Sequence, residues 1–152
     1  MDTIMLDAKK ALLKKQACFA QLSSEEYDML ANILKEVSVK TGDVVVTEGD
    51  PVDSVYLIVD GKADVRHVYV KDGMIEFQSL ATLTTPQAIG LNESGFYSLS
   101  GVRTATVVAL TDMILLQLSV AAFHGFALAY PHVNEVMRKH ARDILGMKSY
   151  SE

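Results

Sequence analysis

From Val37 to Ser119 the chain runs in short β-branched stretches broken at Thr41-Gly42, Gly49-Asp50-Pro51, Asp60-Gly61 and Asp72-Gly73, and this punctuation limits the fold more than any other feature. Branched and aromatic side chains fit a pleated, half-buried surface, while glycine, proline and aspartate supply the turns between such runs. Asp72-Gly73 is the strongest turn signal. Both positions tolerate positive φ, and the resulting two-residue turn matches strand twist, so residues 62–70 are expected to pair with 74–83. Residues 102–110 and 113–119 read as a second hairpin around Thr111-Asp112. Many short strands at this spacing, with helical segments on both sides, predict a mainly β fold with flanking α: an antiparallel β-roll, a jelly-roll-like barrel.

The flanks have a helical period. Residues 3–16 are rich in Ala, Leu and Lys, and the spacing predicts a helix with Met5, Ala8 and Leu12 on one side. Its lysines, Lys9, Lys10, Lys14 and Lys15, form either a solvated face or a dock for an acidic partner or membrane. Ser23 with Glu26 three residues later makes a capping box, after which Tyr27, Leu30, Ile33 and Leu34 give a second helix its apolar stripe. Beyond Ser119, residues 120–128 read as a short helix, and Pro131, favoured in a first turn, opens a last one that Gly146 stops. There Val133, Met137, His140, Ile144 and Met147 repeat at four-three spacing, as a dimer seam or as a stripe packed on the roll.

With 152 residues and 49% apolar content, one domain is expected: N-terminal helices over 1–35, a β-roll over 36–118 and C-terminal helices over 119–147. The longest apolar stretch, residues 120–130, is interrupted by His124 and Gly125, so no segment is long enough to span a bilayer. Charges at Asp2, Asp7, Lys9 and Lys10 leave no signal-peptide core, and a cytoplasmic setting is the expectation. One cysteine, Cys18, permits neither an internal disulfide nor an iron–sulfur cluster. The net charge of −5 is not the footprint of a nucleic-acid binder, and the last helix leaves no room for a following helix-turn-helix, so DNA is not an expected partner.

Glu93 and Arg103 flank a short loop, and the arginine opens the run Arg103, Thr104, Ala105, Thr106, Val107. An arginine offers a fixed fork of donors suited to a phosphate, and an ionised glutamate only accepts, which suits a ribose hydroxyl. This stretch, residues 91–107, resembles the phosphate-binding cassette of the cyclic nucleotide-binding domain family, which includes catabolite activator protein, protein kinase A regulatory subunits and nucleotide-gated channels. The family writes it as Phe-Gly-Glu, a small residue, a short helix, then Arg, Ser or Thr, Ala, Thr and an aliphatic. Here it reads Leu91, Asn92, Glu93, Ser94, Gly95 and then Arg103 to Val107, with Asn92 where the family prefers glycine. Glu48, Gly49, Asp50 and the run Ser54 to Gly61 are similar to the family's first hairpins, and the resemblance covers roughly residues 19–144.

The resemblance implies a regulatory sensor that binds cAMP or cGMP and needs no cofactor. Arg103 is implied to take the exocyclic phosphate and Glu93 the ribose 2′-hydroxyl. A helix starting near Ser94 would aim its N–H groups at the anion, with Gly95 admitting close backbone approach. Ala105 completes the run, Val65 with part of the stretch Phe77 to Leu83 lines the base and sugar pocket, and Asn92 takes the turn through its tolerance of positive φ. Thr104 permits cGMP without requiring it. Capture of ligand would move the cassette and the last helix together as a lid, signalling to a partner or effector chain, with a homodimer through that helix as a further possibility. The alternatives are a vestigial pocket serving protein–protein interaction, a haem sensor using His67 or Cys18, and a cupin-like enzyme. The last needs clustered histidines, whereas His67, His124, His132 and His140 are isolated, so catalysis is not expected.

Overall fold

The computed structural model describes residues 4–92, 95–96, 102–133 and 135, with 91, 92, 95 and 96 as backbone alone. Helix α1 spans Leu6–Lys14, a 3-10 turn follows at Ala17–Phe19, and α2 spans Ser24–Ile33. Ten strands come next among the described residues: β1 Lys35–Val39, β2 Val44–Val46, β3 Ser54–Asp60, β4 Lys62–Lys71, β5 Met74–Thr84, β6 Ala88–Ile89, β7 Leu91–Asn92, β8 Gly95–Phe96, β9 Thr106–Ala109 and β10 Met113–Ser119. Helix α3 covers Val120–Ala129, and residues 131–133 and 135 are again helical. The apolar repeat expected beyond Val133 falls outside the described residues.

The strands form two four-stranded antiparallel sheets, β1-β10-β3-β6 and β2-β9-β4-β5, and a short β7-β8 pair. This is the expected roll, though its sheets do not close into a barrel. Side-chain alternation along β10 explains the layering. Met113 and Leu115 enter a cluster between the sheets with Val46, Ile58, Ala63 and Val107, whereas Leu116 and Leu118 face the helices with Leu13, Phe19, Leu30, Phe123 and Val133. The first sheet is therefore covered on both faces, which is why β3 reads as an almost unbroken apolar run, Val55 to Val59.

Two turns match the sequence reading closely. Asp72 and Gly73, at φ 53 and 77, join β4 to β5. Gly61 sits at φ +100, where an added Cβ would lie 2.6 Å from the Asp112 carbonyl oxygen, so this corner needs glycine for space as well as for conformation. The expected hairpin around Thr111-Asp112 does not form. β9 pairs with β2 and β4, β10 with β1 and β3, and the chain changes sheets between them. The corner is held non-locally: Leu110 N–H donates to the Lys62 carbonyl at 2.9 Å, and Lys62 N–H to Thr111 Oγ1 at 3.0 Å.

Helix α1 also departs from expectation. Leu12 packs half-buried on the helical core as expected, but the buried residues of the helix are Lys9 and Leu13, while Met5 is 74% exposed and Ala8 is exposed. The reason is the neighbour it packs on: Lys10 reaches Asp28 of α2 at 2.7 Å, and Lys14 lies over the Tyr27 ring at 5.3 Å. Lysine stems cover apolar surface while their ammonium groups stay with charge or water.

The α2 capping box forms as expected, with Ser23 N–H donating to Glu26 Oε1 at 2.7 Å and Glu26 N–H to Ser23 Oγ at 3.2 Å. The same buried carboxylate lies 2.9 Å from His132 Nδ1. Burial alone would push the Glu26 carboxyl up, but the Ser23 N–H and the hydrogen bond and charge of His132 together hold it below the usual carboxylate range. A lowered folded value means that this contribution is complete above the unfolded value of about 4.3 and is lost as pH falls through the folded one. Glu26→Gln is therefore expected to cost about 1–2 kcal/mol at pH 6, the difference between charged and neutral hydrogen bonds. Urea unfolding should show the gap to wild type closing as pH falls below the ordinary carboxylate range of about 4.3.

Candidate functional site

The site is built on Arg103, and its backbone is fixed first. Arg103 N–H donates to the Asp50 carbonyl at 2.8 Å, and Gly49 N–H donates to the Arg103 carbonyl at 2.9 Å, so the residue is pinned to the turn between β2 and β3. Gly49 takes φ +92 there, and Pro51 bridges Val102 alongside. Three residues on, Thr106 is buried and its Oγ1 accepts from Glu48 N–H at 3.0 Å. The Glu48-Gly49-Asp50 signature and the Arg-Thr-Ala-Thr run, far apart in sequence, are thus two halves of one hydrogen-bonded unit.

The Arg103 side chain then passes inward and is only 7% exposed. Nη2 donates to the Ser54 carbonyl at 2.6 Å. On another side lies Gly90, at φ +90, where an added Cβ would come 3.0 Å from Arg103 Nη1 and 3.0 Å from Val55 Cγ1. The guanidinium is thereby set against the backbones of β3 and the β6 terminus, which are themselves paired through Tyr56 and Ile89. Ser54 is in turn held by Gln117, whose Nε2 donates to Ser54 Oγ at 3.1 Å. The nearest carboxylate described is Asp53, 3.8 Å from Nη2, with its side chain 84% exposed. An ion pair so open to water contributes little, so Asp53 leaves the positive charge available to a better anion.

Val65, half-buried on β4, pairs in register with Val107 of β9 and Ala81 of β5, which places it beside the run that Arg103 opens. Thr104 is exposed and Ala105 half-buried. Leu91 and Asn92 form β7 and Gly95 lies in β8, with Leu91 paired to Phe96 and Asn92 to Gly95. Glu93 and Ser94 lie outside the described residues. The helix expected from Ser94 does not include Gly95–Phe96, which are strand; cross-strand pairing with β7 overrides the local reading.

Nor does Asn92 provide a positive-φ turn, since Asp72 alone among the described non-glycine residues has positive φ. Gly90 provides it, so Leu91 directly follows the turn glycine and Glu93 stands two residues further on. Gly90, Ser54 and Asp53 were not anticipated from sequence. Gly90 had a signal, as a glycine closing the short aliphatic run Ala88-Ile89, whereas a backbone carbonyl such as that of Ser54 leaves none. Of the proposed haem ligands, Cys18 is buried with its thiol pushed up to about 12 by desolvation, and His67 is exposed, 3.3 Å from Glu48. No group of three potential metal ligands occurs among the described residues.

The family model for the cyclic nucleotide-binding domain matches residues 36–130, from β1 through α3 and the Arg103 unit between them. The chain belongs to the cyclic nucleotide-binding domain family. Among solved structures, this domain is similar to the N-terminal domain of a transcriptional regulator from Streptomyces coelicolor A3(2), with a TM-score of 0.75 at 28% identity over 92% of this chain and 94% of that one. A cyclic nucleotide-binding domain from Methylobacillus flagellatus KT has a TM-score of 0.72 at 22% identity, covering 95% of this chain and 78% of that one. The regulatory domain of Toxoplasma gondii protein kinase A, solved with cAMP, has a TM-score of 0.70 at 17% identity. There 83% of this chain is covered but only 46% of the other, so the present domain spans about half of that regulatory chain. Comparison with curated protein sequences gives no match. No helix among the described residues is long and apolar enough to cross a membrane.

Proposed function

We propose that this domain binds a cyclic nucleotide, cAMP or cGMP, and acts as a non-catalytic regulatory sensor. The observation that carries the reading is Arg103, a guanidinium 7% exposed and steered by the Ser54 carbonyl and the Gly90 backbone. A guanidinium keeps its charge, and a charge withdrawn from water is stabilised best by an anion that it can grip with several parallel hydrogen bonds. The exocyclic phosphate of a cyclic nucleotide is such an anion. In this reading Glu93 accepts from the ribose hydroxyl, and the hydroxyl of Thr104, an exposed residue, serves a guanine amino group where the ligand is cGMP. Protein kinase A regulatory domains of the same fold have been solved with cAMP, which supports that nucleotide as the first to test.

The signal leaves through the segment after α3, because Tyr130, His132 and Val133 rest on α2 and on the helical core cluster. Ligand shifts that segment only by its differential affinity for two arrangements, and the effector that reads the shift is a separate chain or segment. Calorimetric titration of refolded, nucleotide-free protein with cAMP and with cGMP tests the assignment. Binding at micromolar concentration or tighter is expected, equivalent to about −8 kcal/mol. Heat from neither nucleotide, with the protein folded by circular dichroism, would leave the fold as an interaction module without ligand.

A further inference from the structure

Beyond Arg66 the β4-β5 ribbon leaves its sheet. β9 pairs with β4 only from Ala63 to Arg66, whereas the β4-β5 pairing continues to the turn at Lys71 and Met74. The projecting arm has an apolar face of two cross-strand pairs, Val68 with Phe77 and Val70 with Ile75, at 40%, 51%, 70% and 78% exposure. Its outer strand, β5, ends the sheet, so every second residue turns its N–H and C=O away from β4 with no strand to receive them among the described residues. Edges of this kind are usually blunted by lysine, proline or a bulge. From Met74 to Leu80 there is no lysine and no proline, and Glu76 is the single charge. The bulge comes only at the end, where Val65 faces Ala81 and Arg66 faces Ser79, leaving Leu80 between them.

We infer that this edge pairs with the same edge of a second copy, making the β4-β5 arm an interface for a homodimer. An antiparallel strand is self-complementary about a two-fold axis, and such pairing consumes the edge so that the assembly closes at two. With the axis normal to the sheet, paired residues lie on the same face, which requires the axis to pass through a residue. An axis through Glu76 sets two like charges opposite each other, and one through Gln78 runs past the bulge. An axis through Phe77 avoids the like charges and keeps its regular pairs short of the bulge at Leu80: Ile75 meets Ser79, Glu76 meets Gln78 and Phe77 meets itself. A single strand edge covers less than the ~800 Å² per partner of a tight complex, so dissociation in the micromolar range is expected.

Sedimentation equilibrium of the full chain at roughly 1–100 µM should resolve a monomer–dimer equilibrium. Phe77→Asp should weaken it at least about tenfold, because it opposes two carboxylates at the axis. Phe77→Cys supplies the second test. Directly opposed residues have Cα atoms ~4.5–5.5 Å apart, inside the range a disulfide spans. Mild oxidation should then trap a covalent dimer, while Ser79→Cys, whose partner is Ile75, should not cross-link, and buried Cys18 does not compete. A wild-type protein that stays monomeric throughout this range overturns the inference. So does a dimer that Phe77→Asp leaves intact, which would mean that the copies meet elsewhere.

Discussion

Arg103→Ala is expected to lower cyclic nucleotide affinity by at least about 25-fold, equivalent to about 2–5 kcal/mol, the range for stripping one partner from a buried charge pair. The effect is large because the arginine is pre-organised: its backbone is pinned at Asp50 and Gly49, and its Nη2 is fixed on Ser54, before any ligand arrives. Little side-chain entropy remains to be lost on binding. Arg103→Lys should recover only part of the loss, since an ammonium cannot donate to Ser54 and grip a phosphate bidentately at once. Gly90→Ala tests the same contact from the other side. A Cβ 3.0 Å from Nη1 at φ +90 has to push the guanidinium off its seat or strain the turn, and the affinity should fall while Arg103 itself is intact. Calorimetry with cAMP, with unfolding of the unliganded variants as the control, reads both. An Arg103→Ala protein that is folded and binds with unchanged affinity would remove the phosphate assignment.

How far this site was legible depends on where its partners lie. The Arg-Thr-Ala-Thr-Val run, the Gly49 and Gly61 turns and the Asp72-Gly73 hairpin are local signals, and the structure sets each in a role that local chemistry demands. The failures have a common cause. Thr111-Asp112 looks like a hairpin turn, yet Lys62, about fifty positions earlier, takes its hydrogen bonds and sends β9 and β10 into different sheets. Residues 95–96 read as the start of a helix until β7 is seen beside them. On α1, Asp28 of a different helix decides which side faces in. Periodicity reports what a segment prefers alone, and it misleads where a distant carbonyl, strand or carboxylate offers more. Gly90 is the instructive case. The glycine that a cassette needs stands two residues earlier than expected, and only the approach of Arg103 identifies it.

Phe19→Ala is expected to destabilise the domain by about 3–5 kcal/mol, the range for deleting a buried ring. Phe19 is fully buried, its ring lies 5.8 Å from that of Phe123 in α3, and its carbonyl accepts from the Tyr27 hydroxyl of α2. One residue in a 3-10 turn therefore ties α2 to α3 and rests with them on Leu57 and Leu116 of the β-roll. Against a total stability of about 5–15 kcal/mol for a typical domain, that loss is large, and urea unfolding should show a lower midpoint with an unchanged slope. The functional consequence comes from the same contacts. If ligand acts by shifting the segment after α3, that shift reaches α1 and α2 through Phe19, Phe123 and the core around them. A Phe19→Leu variant, which keeps most of the apolar volume but loses the ring contact, should retain nucleotide binding while protecting the α2 amides less from hydrogen exchange when ligand is added. Equal protection in wild type and variant would show that the N-terminal helices are a passive cover on the roll.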